Sequence, residues 1–567
     1  MSLDEGSASA PSMSPGKSHA LHKVSVKWAL AVWAIFFALS LALQWQSGAW
    51  QSDFGGHADE AAHVVTGLMV RDYLGGGFLE EWHPMRYAQD YYERFPKVAI
   101  GHYPPGFYLV EGVVLIPWRS PSTVLLLMVA LSAGVAWQTW RLAGDLGLGE
   151  IGGLVLGTAF CLLPLVRTYT AIVMSDLLLV IFILAATRAV GRFVTRDRSR
   201  DAWAFGFLAA AAILTKGSGL LLALVPPITI ALTGRWKLLM SPRLWLAAVP
   251  VLVLALPWML ATRHITAEGM SEVNFSDYLG NATVYYLMGF TIEIGWVALI
   301  VITIGAELTL VNAWRANQSD RAPLNSEVAA LWALVGGLFL FYVAVPSGLD
   351  HRYLLPVLPP ALVLAALVLK QCLGRRWPRA VGPAIMIFVT MVVAETWRPV
   401  VKHYTGASEV ISELLKQGAG DESTVLIVSD VSGEGAMTAA AAFLGEKALR
   451  VLRGSKILAS SDWLGRGYEL KFSSREDLRI LLEERGVDFI VLEQLPDDRD
   501  SIPAHWSSLA EFLSVPDEVD WASPPQTFGS ERKHGRESEF VVYQLKALAK
   551  AEIEPQPPGA ETDDQPQ

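Results

Sequence analysis

The stretch GGHADEAAHVVTGLMVRDYL, Gly55–Leu74, follows an apolar segment and places two adjacent carboxylates, Asp59 and Glu60, at the start of an amphipathic run. One interpretation is a helix lying on a membrane, because acidic residues in a first turn are favoured by the helix dipole. The other is that one of these carboxylates is a general base that deprotonates a hydroxyl as it attacks. Features elsewhere in the chain are needed to choose between these two interpretations.

The composition is that of a membrane protein. Of 567 residues, 52% are hydrophobic and 18% are charged, and the mean hydropathy is +0.36. Repeated apolar blocks of roughly 17 to 25 residues predict a polytopic α-helical membrane protein. A net charge of −10 argues against nucleic acid as a partner. The two cysteines, Cys161 and Cys372, imply neither a disulfide framework nor a thiolate metal site.

The apolar blocks predict about eleven spans, and the basic loops between them predict their orientation. The short block 103–118 opens with two prolines and carries Glu111, which predicts an interfacial helix instead of a span. With this block excluded, the four most basic loops all face the cytoplasm, as the positive-inside rule requires. Those loops are 192–201, 234–243, 314–321 and 374–379, and the predicted spans are 25–46, 121–140, 150–168, 176–192, 202–216, 217–233, 244–262, 286–312, 327–346, 353–373 and 380–397.

The predicted organisation has four parts: a disordered cytoplasmic N-terminus (1–24), a membrane domain (25–398), a soluble α/β domain (399–548) and a disordered tail (549–567). Helical and strand patterns alternate in the soluble part, which indicates a partly parallel sheet outside the cytoplasm. Its SGEGA motif, Ser432–Ala436, lacks the full G-x-G-x-x-G phosphate-loop fingerprint. A turn before a helix is the favoured interpretation of this motif.

Further ionisable residues interrupt apolar blocks on the predicted non-cytoplasmic side. Asp176 lies at the mouth of an apolar span, where an ionisable group indicates function by default; helix capping by Ser175 or Asp176 is the alternative. Lys216 either snorkels at a helix end or binds an anionic lipid phosphate. Arg352 suits bidentate contacts with phosphate, whereas Asp350 is expected in a surface loop.

The order of the motifs DEAAHVVTG, HYPPGFYLVEG, MSDLLLVIF, LTKGSGLLLAL and HRYLLPVLPPALVLAA resembles the GT-C membrane glycosyltransferases. The similarity is to glycosyltransferase family 39 and its bacterial relatives, which include protein O-mannosyltransferases and aminoarabinose transferases. It covers about residues 25 to 400. This resemblance implies an enzyme of the bacterial inner membrane that transfers a sugar from a polyprenyl-phosphate carrier to an acceptor outside the cytoplasm. It does not identify the acceptor, which is a protein, a lipid or a glycan. The need for a divalent metal is also left open.

The resemblance also implies roles for individual residues. Asp59 would be the catalytic base, with Glu60 as its neighbour, and Asp176 would orient the acceptor or the base. No metal ligand is assigned. The residues expected to bind the substrate are His102, Tyr103, Lys216, His351, Arg352 and Tyr353.

Two other classes of protein share some of these features. A transporter or lipid flippase also has intramembrane charges and helices broken by proline. However, the chain shows no internal repeat, and its charges lie at the outer ends of the spans instead of at mid-depth. A non-catalytic membrane assembly protein would tolerate Asp59→Asn, which an enzyme using Asp59 as its base would not.

Overall fold

The computed structural model describes residues 25–267, 274–318, 324–374, 376–445, 449–460, 467–494, 502–514, 522–532 and 536–545. The two segments predicted to be disordered, 1–24 and 549–567, lie outside these residues. A bundle of apolar helices carries a smaller sheet-containing domain at one end.

The first twenty helices belong to the membrane domain. They are α1 (Val26–Gln46), α2 (Glu60–Asp72), α3 (Phe78–Glu80), α4 (Pro84–Arg94), α5 (Gly106–Leu115), α6 (Pro121–Asp145), α7 (Gly149–Leu162), α8 (Pro164–Ala171), α9 (Asp176–Arg196), α10 (Ser199–Thr215), α11 (Val225–Thr233), α12 (Pro242–Trp245), α13 (Ala248–Pro250), α14 (Leu256–Ala261), α15 (Arg263–Ala267), α16 (Phe275–Ile294), α17 (Trp296–Gln318), α18 (Ser326–Ala344), α19 (Leu358–Leu373) and α20 (Val381–Thr396). Turns of 3-10 helix at Gly217–Leu224 and His351–Val357 lead into α11 and α19.

Within the described part of the chain, eight helical segments are long and apolar enough to cross a membrane. A ninth span results if α7 and α8, bent by 64° where Pro164 begins α8, count as one. The two remaining predicted spans correspond to α10, with 17 residues, and to the broken helix Gly217–Thr233, which are both shorter. Helix α5 has 10 residues, a length of about 15 Å that cannot cross a hydrocarbon layer.

The predicted span 286–312 is wrong in its boundaries. Gly295 adopts a positive φ of 84° and divides this block into the end of α16 and the start of α17. The Glu395 carboxylate accepts hydrogen bonds from the backbone N–H groups of Trp296 (2.7 Å) and Val297 (3.3 Å) at the start of α17. A Cβ at position 295 would lie 2.5 Å from a Glu395 oxygen, so glycine permits both the backbone conformation and the close approach.

Two of the basic loops, 192–201 and 234–243, meet at one end of the bundle, where α6, α9 and α19 also end. Arg188 pairs with Asp145, Arg243 pairs with Asp197 at 2.7 Å, and the Lys370 ammonium donates to the Gly147 carbonyl at 2.6 Å. Helix α9 runs from Asp176 to this end and, with 21 residues, is about 30 Å long. The candidate residues at the start of α9 therefore lie at the other end of the bundle.

The C-terminal domain is built on a five-stranded sheet with the order β2-β1-β5-β7-β6, in which β1 is parallel to β2 and β5 and the other pairs are antiparallel. This confirms the prediction of a partly parallel α/β domain. Its elements are α21 (Ala407–Lys416), β1 (Thr424–Val428), α22 (Val431–Leu444), β2 (Arg450–Arg453), α23 (Gly454–Ile457), β3 (Ala459–Ser460), β4 (Glu469–Leu470), α24 (Arg475–Glu484), β5 (Phe489–Gln494), α25 (Ala504–Leu513), β6 (Gln526–Arg532) and β7 (Arg536–Gln544).

The two faces of this sheet pack differently. Alternate residues of β1 and β5 join either a hydrophobic cluster with α24 and α25 or a cluster with α21 and α22. The second cluster continues without interruption into α2, α4 and α5 of the membrane domain. Helix α22 therefore packs between the sheet and the amphipathic helix that begins after Asp59.

The SGEGA motif contributes to this packing, although it is not the turn that its sequence predicts. Helix α22 already begins at Val431, so residues 432–436 form its first turns. A Cβ at Gly435 would lie 2.9 Å from the Ala61 Cβ atom of α2 and 3.1 Å from the Lys97 side chain. The glycine therefore allows α22 to approach α2 closely.

A buried ion pair joins the two domains. The Lys402 ammonium lies 2.6 Å from the Glu60 carboxylate, and both side chains are almost completely buried. Nearby, the Asp53 carboxylate accepts hydrogen bonds from the backbone N–H groups of Ala407 (2.9 Å) and Ser408 (3.3 Å) at the start of α21. The region from Asp53 to Glu60 thus contacts the beginning of the C-terminal domain at two points.

We expect Lys402→Met to lower the free energy of unfolding by about 3–5 kcal/mol, because Glu60 would keep a buried charge without its cation. Thermal unfolding in detergent measures this change. Lys416→Met is the matched control, since Lys416 is exposed and its ion pair among the described residues is with Glu413 on the same helix. Adding Glu60→Gln to Lys402→Met should restore part of the loss; equal stability of Lys402→Met and Lys416→Met would contradict the expectation.

Candidate active site

Asp59 stands at the N-cap position of α2, but its side chain does not cap the helix. The carboxylate accepts a hydrogen bond from the Tyr103 hydroxyl at 2.9 Å and contacts the Arg352 guanidinium at 3.2 Å. His57 lies beside it and accepts the Asp59 backbone N–H at 3.0 Å. The side chain keeps 18% of its surface exposed. The Asp59 carboxylate is therefore available to an incoming group.

The charges around Asp59 keep it ionised. Burial raises the pKa of Asp59, but the Arg352 guanidinium, with smaller contributions from His57 and the hydrogen bond of Tyr103, holds it well below its ordinary value. Burial and the adjacent Asp59 carboxylate raise the pKa of Tyr103 well above its ordinary value. Tyr103 therefore remains protonated and donates its hydrogen bond to a carboxylate.

Glu60 has a different environment from its neighbour. Its side chain is completely buried, and the oxygen that binds Lys402 also accepts the Val173 backbone N–H at 3.0 Å. The other oxygen accepts the Gly56 backbone N–H at 2.9 Å. Both Glu60 oxygens are thus engaged inside the protein, whereas Asp59 faces the site.

Asp176 and Lys216 form a second buried pair. The Lys216 ammonium lies 2.7 Å from one Asp176 oxygen, and the second oxygen has no hydrogen-bond partner among the described residues. Ser175, the N-cap of α9, makes no side-chain capping bond. Lys216 ends α10 and lies 5.0 Å from the centre of the Tyr353 ring, buried instead of extended towards an interface. This geometry disfavours both capping and snorkelling.

The 3-10 turn before α19 places Arg352 and Tyr353 beside Asp59 and Lys216. The Arg352 guanidinium carbon lies 5.5 Å from the centre of the Tyr353 ring, and its Nε atom is 3.1 Å from the Asp350 carboxylate. The Tyr353 ring stacks on Tyr342 with 4.6 Å between centroids. Asp350, expected in a surface loop, is a direct partner of Arg352, and Tyr342 was not anticipated.

His351 lies in a neighbouring cluster. Its Nδ1 atom is 3.0 Å from the buried Glu293 carboxylate, which also accepts from one Arg398 nitrogen at 2.7 and 2.8 Å. The structure therefore brings Arg352 and Tyr353 to Asp59 and Lys216, but directs His351 towards Glu293. Sequence analysis missed Glu293, although an isolated carboxylate within an apolar block was the same signal that identified Asp176.

A cavity of about 500 Å³, here called the apolar cavity, opens beside these groups. Four of the predicted substrate-binding residues line it together with apolar side chains of α10, α14 and α18. The four are His102, Tyr103, Lys216 and Tyr353. Among the described residues, no group of three or more His, Cys, Asp or Glu side chains has a geometry that could hold a metal ion.

Comparison with known proteins identifies the fold. No protein-family model and no curated protein matches the chain. The crystal structure of ArnT from Cupriavidus metallidurans bound to undecaprenyl phosphate is similar, with a TM-score of 0.53 and 13% identity over 92% of this chain and 99% of ArnT. The apo ArnT structure gives a TM-score of 0.50 and 14% identity over 91% of this chain and 98% of ArnT.

The archaeal oligosaccharyltransferase AglB from Archaeoglobus fulgidus, solved with an inhibitory peptide and a dolichol-phosphate, is also similar. Its TM-score is 0.50 with 11% identity, and the match covers 82% of this chain and 69% of AglB. These likenesses confirm the predicted class at the level of fold: the chain is a multi-pass membrane protein with the fold of the GT-C glycosyltransferases.

We expect Arg352→Gln to destabilise the protein by about 2–4 kcal/mol at neutral pH, because the partly buried carboxylates of Asp59 and Asp350 lose their cation. Arg352 lowers the pKa of Asp59, so its stabilisation is complete above the pKa of an unfolded aspartate, about 3.9, and is lost as the pH falls through the lower folded value. The stability difference from the wild type should thus be largest near pH 7.

Denaturation midpoints at pH 7, 4 and 2 measure this dependence. Arg379→Gln, at an exposed position at the opposite end of the bundle, is the control. A difference that stays constant down to pH 2 would contradict the electrostatic origin of the effect.

Proposed function

We propose that this protein is an inverting glycosyltransferase that moves a sugar from a polyprenyl-phosphate carrier to an acceptor hydroxyl on the outer face of a bacterial inner membrane. One observation carries the proposal: an ionised, partly exposed Asp59 stands with Arg352 beside a lysine-containing apolar cavity of about 500 Å³. The C-terminal domain, at the same end of the bundle, would then be periplasmic.

The apolar cavity suits a donor that is a lipid at one end and an anion at the other. Ile213, Leu220 and Trp258 supply apolar wall, while Lys216 supplies a cation at the end nearest Asp176. A polyprenyl phosphate would place its first isoprene units against the apolar wall and its phosphate near Lys216 and His102. That ArnT was crystallised with undecaprenyl phosphate is consistent with this arrangement.

The reaction needs a base and a group that stabilises the leaving phosphate. Asp59 would take the proton of the acceptor hydroxyl as its oxygen forms a bond to the anomeric carbon. The bond from that carbon to the carrier phosphate breaks at the same time, and its electron pair remains on the phosphate. Lys216 and Arg352 would stabilise the charge that develops there. Attack from the side opposite to the leaving group inverts the anomeric centre.

The pairing of Asp59 with Arg352 also has a consequence for substrate binding. A carboxylate held by a guanidinium is a weak base, because the same contact that keeps it ionised lowers its affinity for a proton. A donor phosphate is an anion and would compete with Asp59 for Arg352. Its arrival would therefore raise the pKa of Asp59 and make it a stronger base when the sugar is in place.

We expect Asp59→Asn to lower the rate of donor turnover at least about a hundredfold, the lower end of what a positioned base supplies. The assay measures release of polyprenyl phosphate from a panel of polyprenyl-phosphate sugars in proteoliposomes. Water serves as the acceptor, because the natural acceptor is not identified. Glu409→Gln, an exposed carboxylate-to-amide change on α21, is the matched control.

Three outcomes of this assay are informative. Equal turnover in wild type and Asp59→Asn would remove Asp59 from the role of base. Loss in Asp59→Asn, with thermal stability retained, would support it. An absence of turnover in the wild type across the panel would favour a transporter or an assembly protein.

The pH dependence of turnover should separate the free and the donor-bound site. The acid limb of kcat/KM reports the pKa of Asp59 in the free enzyme, and the acid limb of kcat reports its pKa in the complex. Because Arg352 depresses this pKa in the free enzyme, the limb of kcat should lie at higher pH than that of kcat/KM. Coincident limbs would show that the donor does not alter the Asp59–Arg352 pair.

A further inference from the structure

A second cavity, of about 800 Å³, lies between α4, the segment after it and the C-terminal domain. We call it the interdomain cavity. The proposed function does not use it. Its wall includes Lys97 from the membrane domain, and Arg453 and Lys456 from the C-terminal domain.

The interdomain cavity reaches the candidate active site. It shares His102 with the apolar cavity, so the two spaces lie on either side of the same short segment. That segment carries Tyr103, whose hydroxyl binds Asp59. Ala62, which also lines the interdomain cavity, follows Asp59 by less than one helical turn. Asp59 itself lines neither cavity, but its hydrogen bond to Tyr103 and its place less than one turn before Ala62 connect it to both.

The charges of the interdomain cavity are separated by depth. Its two acidic lining residues, Asp90 and Glu93, are exposed on α4. The two deeply buried ionisable residues of its lining are both cations, Lys97 at 6% exposure and Arg453 at 8%. The outer rim carries charges of both signs, because Arg86 on α4 and the half-buried Lys456 also line it, whereas the inner end is cationic.

Lys97 differs from the other buried lysines of the described chain, because Lys216 and Lys402 each pair with a carboxylate. The Lys97 ammonium donates to the Val431 carbonyl at 3.2 Å, and no described Asp or Glu oxygen lies within the 4.0 Å of an ion pair. Arg453 is already neutralised by Glu434 at 2.8 Å. Among the described residues, Lys97 at the inner end of the interdomain cavity therefore has no carboxylate within ion-pair distance.

The protonation of Lys97 depends on what surrounds it. Burial and the nearby Arg453 lower the pKa of Lys97 to about 7, against the opposing effects of Glu434, Asp59 and Asp430. An anion that entered the cavity would favour the charged ammonium and gain a charge-assisted hydrogen bond. An uncompensated buried cation is unfavourable in the empty site, so an anion bound beside Lys97 would stabilise its ammonium form.

We propose that the interdomain cavity is the acceptor site, and that it takes an acceptor carrying an acidic group, a phosphate or a carboxylate, close to the hydroxyl that is glycosylated. Lys97 would bind the acidic group, and Asp59 would receive the hydroxyl proton across the border marked by His102. This inference rests on the proposed function for the chemistry, but the binding of an anion at Lys97 does not depend on it. The C-terminal domain would complete the site, since Arg453 and the start of α22 form part of its surroundings.

The first test measures anion binding without any reaction. Purified wild-type protein is labelled at pH 7.5 with a small amount of acetic anhydride, and acetylation of each lysine is measured by mass spectrometry. The probes are inorganic phosphate as a soluble anion, and vesicles of phosphatidylglycerol compared with phosphatidylcholine as a lipid head group. We expect at least about a fivefold decrease in Lys97 labelling by one of these anions, as for a single charge-assisted contact.

Lys416, which is exposed, is the control for general effects of the probes. Protection by phosphate alone would indicate a soluble or polymer-borne anion, and protection by phosphatidylglycerol alone a lipid head group. Lys97 labelling that neither anion changes would overturn the proposal. Because no donor is present, this result is separate from success or failure of the proposed function.

The second test compares acceptors that differ only in charge. Donor turnover is measured with glycerol 3-phosphate against glycerol, and with phosphatidylglycerol against diacylglycerol in vesicles. The wild type should have a KM about tenfold lower for the anionic member of at least one pair. Lys97→Gln should remove this preference, and Lys97→Arg should retain it. An equal preference in wild type and Lys97→Gln would overturn the role of Lys97.

Discussion

Two opposite charges, Glu60 and Lys402, lie together out of contact with water, and the arrangement of the site depends on them. Removing such charges from water is unfavourable unless every remaining hydrogen-bonding position is satisfied. The backbone N–H groups of Gly56 and Val173 complete this requirement for Glu60. One carboxylate therefore fixes three segments: the loop before α2, the segment leading to α9, and the entrance of the C-terminal domain. The first two of these lead directly to Asp59 and Asp176.

Some charged residues of the site are enclosed and stabilise the structure, whereas others remain partly exposed to the cavities. Glu60 is enclosed, while Asp59 keeps part of its surface exposed between Tyr103 and Arg352. The Tyr353 ring lies against the Lys216 ammonium and stacks in turn on the Tyr342 ring. The segment around His102 then separates a space with apolar walls from one with a cationic inner end. Substrates with a lipid part and a polar part would meet at a single carboxylate.

Much of this organisation could be predicted from apolar periodicity and from isolated charges. Asp176, Lys216 and Arg352 were recognisable because ionisable groups are unfavourable at the mouths of apolar spans. The alternation of helix and strand predicted the C-terminal domain, and the brevity of block 103–118 predicted a helix too short to span. Periodicity did not reveal the break at Gly295 or the role of Glu293, because hydropathy continues across a helix end that positive φ creates. It also placed the start of α22 after the SGEGA motif, whose small residues instead serve close packing.

By itself the sequence determined which segments are apolar, which loops are basic and where carboxylates interrupt the pattern. Only the tertiary structure decided what those carboxylates contact. Asp59 and Glu60 are adjacent, but successive residues at a helix start point in directions about 100° apart. Their cationic partners, Arg352 and Lys402, are 293 and 342 residues away in the chain. Local patterns depend on neighbours within a few residues, whereas ion pairs depend on how distant helices pack, so the separation of the two carboxylates appears only in the folded protein.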